Sequence, residues 1–417
     1  MAAAAIEQPD FGLAYLDRTR GVYRPCGVED LDYLKALVAM LDSPEAVADL
    51  DFYWRHRASI IKNFEAETGR NLAALLIGNK KRRGVGYSLV KLGVRTVVNG
   101  AKLYYRMTGR LLFVGKESAK LENGSALLVS HIVDRRDVCA RAIAQQQLKT
   151  RYLVHDIIPL VQPASHPSRM ITSFDRWLRR AAAEKAKLIC VSNGTARDLE
   201  QWFRDKVGID YSRQIHACPL TGVGLPVAGD TQPVKAIGDD RFVLYVSTFN
   251  PRKNHDFLVE VWDQLIAERG AESTPLLVLI GRDKPYKTFQ AALAAHPTAA
   301  AKIINLGSVS NETLRWAYKT CLFAVFPSQA EGWGLGVTEA LRFGKPVIHT
   351  DTPQLNEASQ GLMPALANRD HKSWTARTGA WIGDRAAIKP YRDAAERFEE
   401  AQDGGFANRV LSVLRTP

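Results

Sequence analysis

The stretch SQAEGWGLGVTEALRFGKPV, residues 328–347, decides how this chain is read. The apolar run before it, CLFAVFPS (321–328), has the length and content of a buried strand. The loop after Ser328 therefore lies at a strand's C-terminal end, where open parallel sheets bind ligands. Glycines at 332, 334 and 336 let the backbone approach a ligand closely. The helix expected to begin near Gly336 presents unpaired N–H groups and a partial positive charge, which suits phosphate. Glu331 falls in the loop and Glu339 about one turn into the helix, so the two acids reach different parts of one ligand. Carboxylates accept hydrogen bonds from sugar and ribose hydroxyls. Read alone, the stretch also fits a surface loop with a solvated acid at each end.

Outward from this point the chain is rhythmic. RFVLYVST (241–248), PLLVLIG (275–281), KIINLG (302–307) and KPVIHT (345–350) read as further buried strands, with helices expected over Asn254 to Glu268, Asn311 to Lys319 and Val337 to Phe343. Strands alternating with helices imply a parallel sheet covered on both faces. The pattern recurs upstream in SALLVSH (125–131), RYLVHDIIP (151–159), KLICVSN (187–193) and IHACPL (215–220). The Gly/Pro/Asp-rich segment 224–240 is the expected joint between two α/β domains. YRDAAERFEEA (391–401) and FANRVLSVL (406–414) are expected to be helical.

The 417 residues suit two domains, and 46% hydrophobic with 24% charged residues is a globular composition. No stretch has the uninterrupted apolar length of a transmembrane helix, and MAAAAIEQPDF lacks the regions of a secretory signal. Five scattered cysteines without a CxxC pair point to reduced thiols and a cytoplasmic protein. The net charge of +12 attracts polyanions, and its distribution is uneven: Lys80 to Lys116 holds ten Lys/Arg and no acid. As a helix this region would carry Lys91, Arg95, Lys102 and Arg106 beside a face bearing Tyr104 and Tyr105, the make-up of an interfacial membrane helix. No reader motif for nucleic acid accompanies the charge. GVGYSL (84–89) and GVGLPV (222–227) each miss the last glycine of the dinucleotide fingerprint, and GKE (115–117) lacks the Ser/Thr of a P-loop. Asp49 and Asp51 follow a helical-looking stretch rather than a strand, which argues against a metal–nucleotide role.

A second cluster lies in YVSTFNPRKNHDFLVEVW (245–262), a strand, loop and helix with Arg252 and Lys253 in the loop. Both loops open toward the same sheet edge. Two fixed cations there could neutralise a diphosphate without a metal ion, Arg252 by its fork and Lys253 as a point charge. The alternative is a pair of solvated loop cations.

STFNPRKNHDFLVE, LIG, LGSVSNETLRWAY and FPSQAEGWGLGVTEALRFGKPVIHTDTPQLNE together resemble family 4 of the retaining GT-B glycosyltransferases, densely over 245–357 and including the Glu-x7-Glu element. VHDIIPL, ICVSNGTARDL and PLTGVG extend the likeness more weakly over 151–222. The resemblance implies an α/β GT-B fold, two Rossmann-like domains facing each other across a cleft. Residues 1–224 would form the acceptor-side domain, with a divergent start, 241–390 the nucleotide-sugar domain, and 391–417 terminal helices.

It also implies roles. Arg252 and Lys253 would hold the donor diphosphate, Glu339 the ribose, and backbone near Ser308 and Val309 the base. Glu331, with Gly332, Trp333, Gly334 and Leu335, would contact the transferred sugar and phosphate, and His155 would reach that sugar from the N-terminal domain. No cofactor or metal is implied. The expected reaction moves a hexose from GDP-mannose or UDP-glucose to a lipid-linked or polysaccharide acceptor, at the cytoplasmic face of an anionic membrane. A sugar-nucleotide epimerase and a non-catalytic sugar-nucleotide-binding partner of a polysaccharide assembly complex are the alternatives. Such enzymes open with a strand and glycine-rich loop near the acceptor, which residues 1–30 do not reproduce.

Overall fold

In the computed structural model, the described residues are 149–221, 224–238, 240–282, 285–399 and 405–416, positions 145 and 147, and the backbones of short strands at 14–17, 22–25 and 126–129. The basic 80–116 region, Asp49 and Asp51 lie outside them. The chain forms two compact units. In the first, residues 1–127 with 133–149, strands β1 (Ala14–Asp17) and β2 (Val22–Pro25) pair antiparallel. The second, 128–132 with 150–417, contains both α/β halves.

The N-terminal half is built on β3 (Ala126–Val129), β4 (Lys149–Val154), helix α1 (Ile158–Val161), α2 (Ser168–Ala183), β5 (Lys187–Cys190), α3 (Asn193–Trp202) and β6 (Ile215–Ala217). The sheet order is β3-β4-β5-β6, with β4, β5 and β6 parallel. Buried Trp177, Leu178 and Ala181 turn one face of α2 inward, and Tyr211 donates to the carbonyls of Ala181 and Ala186 at 3.1 and 2.7 Å, closing the turn between α2 and β5. Cys190 and Cys218 here, and Cys321 further on, are buried free thiols.

The C-terminal half runs β7 (Phe242–Val246), α4 (His255–Arg269), β8 (Leu276–Ile280), α5 (Lys287–Ala295), α6 (Pro297–Ala300), β9 (Ile303–Gly307), α7 (Asn311–Thr320), β10 (Ala324–Phe326), α8 (Leu335–Arg342), β11 (Val347–Thr350), α9 (Pro353–Ala358), β12 (Ala365–Leu366), α10 (His371–Gly383), α11 (Arg385–Glu396) and α12 (Gly405–Arg415). Its parallel sheet has the order β12-β11-β10-β7-β8-β9. The chain enters at the centre, steps out through β8 and β9, then crosses back to lay β10 on the other side of β7. The loops after β7 and β10 thus diverge at a topological switch point, where such sheets open a crevice. In α4, Phe257, Leu258, Val261, Trp262 and Leu265 are wholly buried at helical spacing, and the Trp262 indole donates to Pro275 O at 3.0 Å.

The C-terminal elements depart from the sequence pattern in two places. A helix was expected to start after Pro390, yet α11 begins at Arg385 and carries Pro390 inside it, because Asp384 caps the earlier start by accepting from Ala386 N at 2.7 Å. Helix α12 returns to the N-terminal half: Arg409 donates to Pro219 O at 2.6 Å, and Arg151 to Thr416 O at 3.0 Å. The joint 224–240 is fastened to α7, where buried Arg315 donates to Asp230 O at 2.8 Å. No helix of the described residues is long and apolar enough to cross a membrane.

One core residue makes an acid-stability prediction. His255 is 1% exposed, stacked on Phe249 with ring centroids 4.3 Å apart, and burial holds its imidazole down at about 3. The folded state refuses a proton that the unfolded chain accepts below its ordinary value near 6.5. Stability is therefore lost as pH falls from about 6.5 toward 3, by roughly 3 kcal/mol over the first two units. Denaturant melts at pH 6.5 and 4.5 should show a smaller acid loss in His255→Phe than in the parent; equal losses would refute this assignment.

Candidate functional site

The two loops at the switch point are stitched together before any side chain reaches out. After β7 the chain makes a short 3-10 turn, Pro251–Lys253, capped by Asn250, whose Oδ1 accepts from Arg252 N at 3.0 Å. After β10, Gln329 N donates to Arg252 O at 2.9 Å. Asn254, at φ 54°, donates through Nδ2 to Pro327 O at 2.8 Å and accepts from Gln329 Nε2 at 2.9 Å. Tyr245, wholly buried in β7, donates to Lys253 O at 2.7 Å. Backbone and carboxamides thus set the position of Lys253.

On this frame Arg252, Lys253 and Glu331 converge. Lys253 Nζ is ion-paired with Glu331 Oε1, and it lies 5.4 Å over the Phe326 ring. Arg252 Nη1 donates to Ala330 O and is 3.6 Å from Glu331 Oε2. Burial pulls the Lys253 ammonium below the usual lysine range, while Glu331 pulls it back up. The sequence separated these residues by 78 positions; the fold makes them one charge cluster.

Lys253 and Glu331, but not Arg252, line a cleft of about 290 Å³ whose other wall comes from the N-terminal half: His155, Asp156, Val191 and Leu220 face Lys253, Glu331 and the run Gly332 to Gly336. His155 directly follows β4 and is exposed. A Cβ on Gly332 would lie 1.9 Å from His155 O. Gly334 takes φ 120° as it leads into α8, a conformation open to glycine and strained for other residues. Trp333 is buried in the cleft wall, and its indole N–H has no hydrogen-bond partner among the described residues. Leu335 is exposed at the first position of α8.

The remaining expected contacts are placed differently. Glu339 lies on α8 outside the cleft lining, with Oε1 accepting from Leu225 N and Oε2 from Tyr318 OH, both at 3.0 Å. Burial raises its carboxyl above the ordinary range. Ser308 and Val309 follow β9 at the same sheet edge but do not line the cleft. The supporting residues Tyr245, Asn254 and Gln329 were not singled out in the sequence, although Asn254 stands beside the cation pair. A larger, more open groove of about 790 Å³ runs between α3 and α9, bounded by Arg197, Glu200 and Glu357. Arg197 is the one Lys or Arg among its described lining residues.

The model of the glycosyl transferases group 1 family matches residues 230–360, which span both loops. The serotype-specific mannosyltransferase WbdA of Escherichia coli is 27% identical over 248 residues, 54% of this chain and 29% of WbdA. The O-antigen chain mannosyltransferase B of Escherichia coli is 25% identical over 209 residues, 49% of this chain and 53% of that protein. The chain thus spans between about a quarter and just over half of the length of these relatives. Among solved structures, WaaG, a glycosyltransferase involved in lipopolysaccharide biosynthesis, superposes with a TM-score of 0.50 at 12% identity, over 67% of this chain and 81% of that one.

Proposed function

We propose that this chain of GT-B fold, with a glycosyl transferases group 1 segment over residues 230–360, is a retaining hexosyltransferase of cell-surface polysaccharide synthesis. It would take mannose or glucose from a nucleotide diphosphate donor, GDP-mannose being the first candidate and UDP-glucose the second. The O-antigen and mannosyltransferase names of its relatives support that choice. The observation that carries the reading is the convergence of Lys253 and Arg252 on Glu331 at the switch point, opposite His155.

The difficult feature of the reaction is negative charge growing on the departing phosphate as the sugar becomes oxocarbenium-like. Two cations held by a rigid frame, beside the N–H groups at the start of α8, are prearranged to stabilise that charge, a role that needs no divalent ion. The donor diphosphate would replace Glu331 as their partner and leave Glu331 for the sugar hydroxyls. With Glu331 engaged by the sugar hydroxyls, front-face displacement is preferred over a glycosyl-enzyme intermediate, as the resemblance to retaining GT-B enzymes implies. The bond from the anomeric carbon to phosphate oxygen breaks, the bond to the acceptor oxygen forms on the same face, and the acceptor proton passes to the phosphate. His155 would hold the sugar from above.

The acceptor would be a growing lipid-linked saccharide at the cytoplasmic face of the membrane, with the basic 80–116 region on anionic lipid. One preparation of chelator-treated protein tests the proposal. It should bind and turn over one of a panel of GDP- and UDP-linked hexoses, give an axial or equatorial linkage matching that donor, and float with anionic but not neutral vesicles. No affinity for any member of the panel would overturn the reading of the cleft. Release of nucleotide or free sugar without need of an acceptor would favour the epimerase alternative.

A further inference from the structure

A hydrogen-bonded seam joins the two halves away from the cation cluster. Glu357, in α9 of the C-terminal half, accepts from Asn193 N at 3.0 Å and Asn193 Nδ2 at 2.7 Å through Oε1, and from Gly194 N at 3.2 Å through Oε2. Asn193 and Gly194 open α3 of the N-terminal half, and first-turn N–H groups have no partners inside their own helix. Ser192 caps Thr195 N at 2.9 Å and leaves the two earlier groups to Glu357. A carboxylate of one half thus completes the cap of a helix in the other, at the end where the helix carries partial positive charge.

The contact extends in two directions. Gln354 Nε2 donates to Asp198 Oδ2 at 2.8 Å, and a Cβ on Gly194 would lie 2.7 Å from Gln354 Cγ, so the two helices touch at this point beside the groove that opens between them. Thr195 Oγ1 donates to Gly332 O at 3.2 Å, and Gly332 adjoins Glu331. The same α3 turn that receives Glu357 therefore also holds the loop that carries the cleft's acid.

We infer that Glu357 is a positioning residue: its carboxylate latches α9 to α3 and, through Thr195 and Gly332, fixes Glu331 and the cations against the His155 wall. What it positions rests on the function proposed above; the latch itself rests on the distances alone.

Glu357→Ala and Glu357→Gln in the full chain test it by hydrogen exchange, small-angle scattering and kinetics. Glu357→Ala should speed exchange of the 193–195 amides about 10-fold, enlarge the radius of gyration, and lower kcat about 10- to 100-fold with KM for the donor nearly unchanged. Glu357→Gln keeps one acceptor oxygen and should recover part of each effect. Exchange and scattering like the parent's in Glu357→Ala would overturn the latch. Faster exchange with unchanged kcat would overturn the positioning role. If the parent itself binds no sugar nucleotide, the proposed function fails, and exchange and scattering still decide whether the latch exists.

Discussion

Lys253→Ala is expected to lower the proposed hexose transfer by about 100- to 1,000-fold, the usual loss when one preorganised group facing developing negative charge is removed. The argument starts from the frame. Tyr245 and the Pro251–Lys253 turn hold the residue's backbone, while the Phe326 ring and Glu331 hold its tip, so the ammonium is delivered without reorganisation. Arg252, with Nη1 3.6 Å from the second Glu331 oxygen, remains in the variant and keeps that carboxylate partly compensated. The expected stability loss is therefore in the ordinary range, roughly 0.5–3 kcal/mol, and far-ultraviolet circular dichroism should not change. Because Lys253 and Glu331 share one ion pair, Lys253→Ala and Glu331→Ala should combine with much less than the sum of their separate effects. Near-parental turnover in Lys253→Ala would remove the charge argument on which the proposed reaction stands.

Gly332→Ala is the second large effect, and its cause is steric. The added methyl would lie 1.9 Å from His155 O, 3.0 Å from His155 C and 3.3 Å from Asp156 Cβ. A backbone carbonyl cannot swing aside as a side-chain tip can, so the second loop and the β4 wall must part by about 1 Å, enough to cost on the order of 100-fold in a preorganised site. Overpacking of this kind adds roughly 1–3 kcal/mol of destabilisation. Donor affinity and kcat/KM measured together check it: both should fall, and the melting temperature should drop by a few degrees. Parental kinetics would mean that His155 and Gly332 do not meet in the working state.

Much of the C-terminal half was legible before the fold was known. Each of its main strands is a short apolar run, and α7 shows its cap in Ser310, which accepts from Thr313 N at 3.3 Å. The charge cluster was legible in part: Arg252, Lys253 and Glu331 could be placed at one sheet edge, because loops after parallel strands open the same way. Their partners could not. Nothing in the residue types says that Glu331 sits on Lys253 rather than in solvent, or that both Glu339 oxygens are taken by Leu225 N and Tyr318 OH. α5 and α6 were missed because YKTFQAALAAHPTAA is alanine-rich and its apolar residues do not mark one face.

Sequence alone determined the alternation of strand and helix, the position of the glycine run after a buried strand, and the kind of chemistry that two cations and an acid can do there. These are properties of neighbours along the chain, governed by side-chain periodicity, capping and backbone freedom. Tertiary structure alone decided which distant groups touch: Lys253 with Glu331, Gly332 with the His155 carbonyl, Glu357 with the start of α3, and α12 with the N-terminal half. The crossover that sets β10 beside β7 puts the two loops at one crevice, and contacts between the halves then decide which polar groups meet.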